Sequence, residues 1–252
     1  MSAIELYARH QPGYEERLAR TVQQLSDAVA AHPGSIVLAT SLGAEDMVLT
    51  DLIARHRLPI ALATLDTGAL HPQTIELMVR LEARYGLPLE RHAPSAQAVL
   101  PFVREHGEQA MYRSLELRKA CCDLRKLQPL QQLLAGRSAW IAGLRREQSE
   151  NRAAVPAAET GSDGRVKFNP LADWSWADVW HHIRLHEVPY NPLHDAFMPS
   201  IGCAPCTRAI AVGEPFRAGR WWWEAPNAKE CGLHAGEPSA RIHALSTLQE
   251  TS

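Results

Sequence analysis

The order of apolar runs along the chain constrains the fold more than any other feature of this sequence. A short apolar run at 36–40 leads into a polar loop and an amphipathic pattern, and the same order repeats from residue 60. Short apolar runs that alternate with helical periodicity are typical of buried strands connected by helices. We therefore predict an α/β fold, a three-layer α/β/α sandwich in which helices cover both faces of a parallel sheet.

The individual elements follow from apolar periodicity and from turn residues. Helices are predicted at 14–32, 47–53, 72–85, 95–106, 114–134 and 175–186, the fifth of these being interrupted before Pro129. Strands are predicted at 36–40, 60–65, 87–92 and 139–143, and an exposed loop at 153–165. Residues 1–216 would form a single domain, and residues 217–252 a mobile C-terminal tail.

Composition excludes several classes of protein. The chain has 252 residues, of which 46% are hydrophobic and 21% are charged. Because it can bury a substantial core, this composition excludes a disordered protein and collagen-like repeats. A formal net charge of -2 argues against a long nucleic acid as partner, although grouped cations could bind a small anion. No apolar stretch reaches the roughly 18 residues of a membrane span, and no signal peptide is evident. A reducing cytoplasm is the expected location.

Four of the five cysteines form two close pairs. Cys203 and Cys206 make a C-x-x-C unit, which alone fits a zinc knuckle, a thioredoxin-like redox pair or half of an iron–sulfur site. Cys121 and Cys122 would diverge by about 100° on a helix, which is awkward for one tetrahedral ion. The separated irons of an iron–sulfur cluster suit them better, and burial as small apolar side chains is the alternative.

The fifth cysteine, Cys231, lies between Lys229 and His234 in the predicted tail. Nearby cations favour the thiolate, which is the form of cysteine that attacks electrophiles. Gly232 would let the backbone bring the sulfur into a site. We therefore predict a nucleophilic role for Cys231, with an incidental exposed thiol as the alternative.

An anion-binding site is expected beyond the carboxyl ends of the strands, where α/β sheets bind their ligands. Arg145 and Arg146 directly follow the strand at 139–143, and guanidinium groups suit sulfate and phosphate oxygens. The loop at 41–46 could present backbone N–H groups to a phosphate, although it lacks the Gly-Lys-Ser/Thr of a P-loop. The other cations expected around this site are Lys126, Arg152, Arg208, Arg217 and Arg220.

The histidine and tryptophan clusters are expected to have structural roles. His181, His182 and His186 fall on the predicted helix at 175–186, where surface or packing roles are expected. Three indoles follow one another at 221–223, and core packing of one or two of them is expected.

Six short motifs occur in order along the chain. They are Ser-Leu-Gly-Ala-Glu-Asp at 41–46, Leu-Asp-Thr-Gly at 65–68, Lys-Ala-Cys-Cys at 119–122, Gly-Leu-Arg-Arg-Glu-Gln-Ser at 143–149, Cys-Ala-Pro-Cys at 203–206 and Glu-Cys-Gly-Leu-His at 230–234. Together they make the chain resemble the assimilatory adenosine 5′-phosphosulfate (APS) reductases of the phosphoadenosine phosphosulfate reductase family. The resemblance covers about residues 38–234.

The resemblance implies an adenine nucleotide α-hydrolase-like fold and the reduction of APS to sulfite and AMP in sulfate assimilation. A nucleophile at Cys231 would form S-sulfocysteine, and thioredoxin or a glutaredoxin-like thiol donor would release the sulfite. A homo-oligomer is also implied. The implied ligands of a 4Fe–4S cluster are Cys121, Cys122, Cys203 and Cys206. The implied substrate contacts are Thr40, Ser41, Gly43, Leu65, Lys126, Gly143, Arg152, Arg217 and Arg220.

One position departs from the family pattern, and three alternative functions stay open. Relatives often carry a second serine where this chain has Leu42, which removes a side-chain hydrogen bond to the nucleotide but no backbone contact. A 3′-phosphoadenosine 5′-phosphosulfate (PAPS) reductase typically lacks the two cysteine pairs. An iron–sulfur tRNA-thiolation enzyme would need a Ser-Gly-Gly-x-Asp-Ser loop, which is absent. The third alternative is a zinc-stabilised binding module without catalysis.

Overall fold

A computed structural model describes residues 1–225, and Cys231 with the rest of 226–252 lies outside the described residues. The helices are α1 (Ala3–Tyr7), α2 (Tyr14–Ala31), α3 (Ala44–Arg55), α4 (Pro72–Tyr85), α5 (Ala96–His106), α6 (Leu115–Cys122), α7 (Gln128–Leu133) and α8 (Trp176–His186). The strands are β1 (Ile36–Thr40), β2 (Ala61–Leu65), β3 (Leu89–His92), β4 (Ala139–Ile141), β5 (Ala158–Thr160) and β6 (Val166–Phe168). In this part of the chain the helices are too short or too polar to span a bilayer.

The six strands form one sheet in the order β3-β2-β1-β4-β6-β5. All neighbouring strands are parallel except β5, which runs antiparallel to β6 at the edge. The chain moves from β1 outward to β3 and then returns to β4 on the other side of β1, so the strand order reverses between β1 and β4. Doubly wound sheets bind ligands at the carboxyl ends of the strands beside such a reversal. The loops that follow Thr40 and Ile141 therefore flank the expected site.

Alternate side chains of β1 pack into two different apolar layers. Ile36 and Leu38 belong to the larger core, which includes residues of α2, α3, α4 and α8. Val37 belongs to a second core, together with Leu130 and Leu133 of α7. Because successive side chains of a strand point to opposite faces, both faces of the sheet are covered. The predicted α/β class with a parallel sheet covered on both sides is confirmed.

The predicted exposed loop at 153–165 is wrong in part, because Ala158–Thr160 forms the edge strand β5 and pairs with β6. Each of these strands has three residues, which is too few to show a period of two. β6 also carries Lys167, whose amine lies 5.3 Å from the centre of the Trp140 ring and 2.9 Å from Glu159. Lys167 is therefore buried by contacts with other strands, which the local sequence pattern does not indicate.

A π-helical turn at 123–127 separates α6 from α7. The N–H of Gln128 donates to the carbonyl of Asp123, five residues earlier. Pro129 has no N–H and its ring would crowd the carbonyl of the residue four positions earlier, so a regular α-helix cannot continue through this point. The expected interruption before Pro129 is confirmed. Single π turns of this kind are frequent at functional sites.

The described part of the predicted tail, residues 217–225, packs against the body. Trp221 is only 1% exposed, and Arg220 forms an isolated antiparallel bridge with Thr207. The carbonyl of Cys206 accepts the N–H of Trp221 at 3.4 Å. These contacts hold the segment beside the second cysteine pair.

Candidate active site

A pocket opens at the carboxyl ends of β1, β2 and β4, beside the reversal of strand order. Its walls come from the loops after these strands, from the π-helical turn and from the segments 199–203 and 216–221. All nine residues predicted as substrate contacts line it: Thr40, Ser41, Gly43, Leu65, Lys126, Gly143, Arg152, Arg217 and Arg220. The tertiary structure thus gathers these nine positions around one space.

The carboxylate of Asp46 joins the loops that follow β1 and β4. One oxygen accepts the N–H and the hydroxyl of Ser41 at 2.6 and 2.7 Å, and the other accepts the N–H of Gly143 at 3.0 Å. A Cβ at Gly143 would clash with this carboxylate and would lie 2.9 Å from the Cβ of Glu45. Burial raises the pKa of Asp46 to about 6, although the hydrogen bonds from Ser41 act against this rise.

Two backbone N–H groups of the 41–46 loop are engaged within the protein, so the expectation that this loop offers N–H groups to a phosphate stays a prediction for residues 43–46. The N–H of Ser41 is engaged by Asp46, and the N–H of Leu42 donates to the Thr40 hydroxyl at 2.9 Å. Leu42 has a φ of 60° and its side chain lies in the larger core, 1% exposed. At this position, therefore, the side chain points away from the pocket.

The expected anion-binding role of Arg145 and Arg146 is wrong. Arg145 is 1% exposed and its Nε lies 2.9 Å from a carboxylate oxygen of Glu45, with the Trp176 ring 5.1 Å from the guanidinium carbon. Arg146 instead pairs with Asp173 and donates to a backbone carbonyl. The loop after β4 turns both side chains away from the pocket, while Gln148 and Arg152 from the same loop line it.

Two backbone carbonyls hold the guanidinium of Arg220 at the pocket. Its guanidinium donates to the carbonyls of Cys206 and Ile201 at 3.3 Å each, and it is 6% exposed. A Cβ at Gly202 would occupy the space that this guanidinium fills. Glycine at position 202 therefore fixes where the Arg220 charge lies.

The four cysteines of residues 1–225 line a second cavity of about 420 Å³, and all four are free thiols. Cys121 is partly exposed, whereas Cys122, Cys203 and Cys206 are buried. The two cavities share lining residues Lys126, Cys203 and Trp221. Within residues 1–225, no group of three or more His, Cys, Asp or Glu side chains is arranged to hold a single metal ion.

Burial disfavours negative charge on two of the four thiols. Burial, followed by the neighbouring Cys203, raises the pKa of Cys206 to about 12, and burial also raises the pKa of Cys121. Arg125 and Lys126 act in the opposite direction on Cys121. Since a thiol reacts as its thiolate, Cys121 and Cys206 are poor nucleophiles here.

Trp221 forms the wall between the two cavities. Its ring centre lies 4.5 Å from the guanidinium carbon of Arg220, 4.7 Å from that of Arg118 and 5.9 Å from that of Arg217. Contacts of this kind attract cations to the face of the ring. Trp222, by contrast, is 38% exposed, so the expectation that only part of the tryptophan run packs inside is confirmed.

Comparison with known proteins assigns the chain to a family. The model of the phosphoadenosine phosphosulfate reductase domain matches residues 35–209. The chain belongs to this family. Among its relatives, the adenosine 5′-phosphosulfate reductase of Allochromatium vinosum is 56% identical over 226 residues, covering 89% of this chain and 88% of the relative.

Solved structures agree with the family and with the fold. The phosphoadenylyl-sulfate (PAPS) reductase of Candida auris, a phosphate complex, superposes with a TM-score of 0.64 and 28% identity, covering 78% of this chain and 97% of that one. Yeast FAD synthetase, in complex with FAD, has a TM-score of 0.56 at 14% identity and covers 82% of this chain and 71% of that one. This second likeness shows the shared fold alone.

The sequence did not identify the residues that hold the pocket in shape. Glu45 and Asp46 follow the loop glycine directly, and two adjacent carboxylates at a buried helix start are an unusual signal that could have drawn attention. Gln148 belongs to the motif at 143–149, in which the two arginines are the more conspicuous residues. Core packing was expected for one or two of the tryptophans at 221–223, but the position of Trp221 between two cavities depends on contacts between distant segments.

Proposed function

We propose that this protein reduces APS to sulfite and AMP in sulfate assimilation. One observation carries the proposal: a pocket lined by nine predicted substrate contacts shares Lys126, Cys203 and Trp221 with a cavity lined by four cysteines. The name of the Allochromatium vinosum relative, at 56% identity, supports the same activity.

We assign a 4Fe–4S cluster to the cysteine cavity. The donor set supports this assignment, because four cysteine thiolates are the usual ligands of such a cluster and no described group suits a single ion. Arg118, Arg125 and Lys126 line the same cavity and would offset thiolate charge. The chemistry we assign to the cluster is electrostatic ordering of the anion site, without transfer of electrons to the substrate.

The pocket cations are assigned to the sulfate and phosphate of APS. Lys126, Arg217 and Arg220 line the pocket beside the cysteine cavity, where they would hold the sulfate and stabilise the charge that develops on the departing AMP. The thiolate of Cys231 would attack the sulfur atom, forming a sulfur–sulfur bond as the bond between sulfur and the phosphate oxygen breaks. AMP leaves with that electron pair.

Release of sulfite requires a thiol from outside the tail. Residues 217–252 contain Cys231 and no second cysteine, so the S-sulfocysteine has no resolving partner there. A thioredoxin thiolate would attack the Cys231 sulfur and release sulfite, and the second thioredoxin thiol would then restore Cys231 and leave thioredoxin as a disulfide. We place this reaction in the cytoplasm, where thioredoxin is kept reduced, and propose a homo-oligomeric enzyme.

Anaerobic purification followed by mass spectrometry tests the proposal. We expect four irons and four sulfides per chain, and the added mass of SO₃ on Cys231 after incubation with APS. Cys231→Ser should keep the iron and lose the adduct, whereas Cys206→Ser should lose the iron. An adduct on Cys206, or a protein that holds zinc and forms no adduct, would overturn the assignments. Faster turnover of PAPS than of APS would instead favour a PAPS reductase.

A further inference from the structure

A buried hydrogen-bond network lies behind the nucleotide pocket and ends at Arg152. Glu45, Arg145, Gln148 and Arg152 are each at least nine-tenths buried, with exposures of 7%, 1%, 8% and 8%. Glu45 lies in the first turn of α3, whereas the other three residues lie in the loop after β4. Of these four, Glu45, Gln148 and Arg152 also line the pocket.

The side-chain amide of Gln148 has a partner for every hydrogen bond that it can make. Its nitrogen donates to Glu45 Oε1 at 2.9 Å and to the carbonyl of Gly143 at 3.3 Å. Its oxygen accepts the N–H of Arg145 at 3.2 Å and Nη1 of Arg152 at 2.6 Å. Two donors and two acceptors are therefore satisfied in one orientation.

The partners permit only that orientation. The carboxylate of Glu45, paired with Arg145, and the Gly143 carbonyl can only accept, so the amide must turn its nitrogen toward them. Its oxygen is then left facing the guanidinium of Arg152. A flipped amide would set oxygen against oxygen on one side and nitrogen against a cation on the other.

We propose that Gln148 is a positioning residue whose amide, oriented by Glu45, aims the guanidinium of Arg152 into the nucleotide pocket. The inference rests on the proposed function, because it takes the adenine nucleotide AMP as the ligand that Arg152 meets. Glu45 is held in turn by Arg145, which lies over the rings of Trp176 and Phe216 at 5.1 and 5.7 Å. The network therefore joins the loop after β4 to α3 and packs against Trp176 at the start of α8.

A double-mutant cycle on AMP affinity tests this role, because it separates action through Arg152 from direct contact. Gln148→Met keeps the volume and removes both hydrogen-bonding groups. We expect it to weaken AMP binding about tenfold, which corresponds to about 1.4 kcal/mol. In the Arg152→Met background the same change should alter the affinity less than twofold. Gln132→Met, at an exposed position of α7, is the matched control and should bind AMP as the wild type does.

Glu45→Gln provides a second variant that preserves volume and tests orientation directly. A glutamine at position 45 offers both a donor and an acceptor, so it no longer dictates which way the Gln148 amide points. We expect Glu45→Gln to weaken AMP binding. This loss of affinity should again disappear in the Arg152→Met background. Circular dichroism of every variant confirms that each chain has folded before its affinity is compared.

The affinity measurements test the positioning role of Gln148 separately from the proposed function. Equal losses from Gln148→Met with and without Arg152 would overturn the inference, because Gln148 would then contact the nucleotide itself. Unchanged affinity in both Gln148→Met and Glu45→Gln would also overturn it. Failure of the wild-type protein to bind either AMP or APS would instead contradict the proposed function, and it is visible before any variant is made.

Discussion

Arg118 and Glu224 form a bidentate ion pair that fastens the segment 217–225 to α6. Nε and Nη2 of the arginine each lie 2.8 Å from a different carboxylate oxygen, and the two side chains are 1% and 6% exposed. The same guanidinium lies over the ring of Trp221, 4.7 Å from its centre. The pair thus connects the helix that ends in the first cysteine pair to the segment that supplies cations to the pocket.

Removing one partner of this pair should destabilise the fold. Glu224→Ala leaves the Arg118 guanidinium buried without its carboxylate, and we expect the free energy of unfolding to fall by about 3 kcal/mol. The double variant Arg118→Met/Glu224→Leu should recover most of that loss, because neither charge is then buried. Urea unfolding of anaerobically purified protein measures both changes. Equal stability of the single and double variants would argue against a buried, uncompensated charge as the cause.

Asp46 should make stability depend on pH in the range around pH 6. Because burial raises its pKa from 3.8 to about 6 in the folded state, Asp46 stabilises the fold most below pH 3.8, and this contribution is lost as the pH rises through 6. Between pH 5.5 and 8.0 the free energy of unfolding of the wild type should fall by about 1 kcal/mol. The Asp46→Asn variant should not show this fall. Chemical unfolding of both proteins at the two values provides the comparison. Parallel pH profiles would show that Asp46 does not titrate there.

Gly202→Ala should weaken the binding of APS. The added methyl group occupies the space filled by the Arg220 guanidinium and displaces its charge in the pocket. We expect KM for APS to rise about tenfold, the effect of losing roughly 1.4 kcal/mol of binding. Gly213→Ala is the control, since that glycine has a φ of 90° but nothing within 4 Å of an added Cβ. It should lower stability slightly and leave KM unchanged; equal KM values for the two variants would exclude displacement of Arg220.

A buried network on α2, α3 and α8 should matter for stability and not for nucleotide binding. The Tyr14 hydroxyl lies 2.8 Å from Nδ1 of His182, and Nε2 of His182 lies 3.0 Å from a carboxylate oxygen of Asp51. Burial acts to raise the pKa of Asp51, but the hydrogen bond from His182 and nearby cations hold it below its usual value.

His182→Leu should therefore cost about 2 kcal/mol of folding free energy, because it removes a hydrogen-bond partner from a buried carboxylate. Affinity for AMP should remain within twofold of the wild-type value, since no member of the network lines the pocket. His56→Leu, at an exposed position, serves as the control and should change neither quantity. Thermal unfolding and calorimetric titration give the two measurements. A loss of AMP affinity without a loss of stability would contradict this assignment.

Local sequence signals predicted the regular elements that lead to the site. Proline begins α4 and Gly86, with a φ of 65°, follows its last residue, so the predicted span 72–85 is confirmed at both ends. β1 likewise matches its predicted span of 36–40. The short helix α1 and the hairpin of β5 and β6 were not predicted, because charged residues interrupt their apolar ones and leave no continuous apolar run like that of β1.

The sequence by itself determined the α/β class, the family and the set of residues available for chemistry. These follow from local apolar periodicity and from motifs, both of which can be recognised without knowing the contacts between distant segments. Only the tertiary structure decided that Arg145 is paired with Glu45 behind the pocket while Arg152 lines it. Two arginines seven residues apart have the same chemistry in sequence, and the burial and hydrogen-bond partners that separate their roles exist only once the helices and loops have packed.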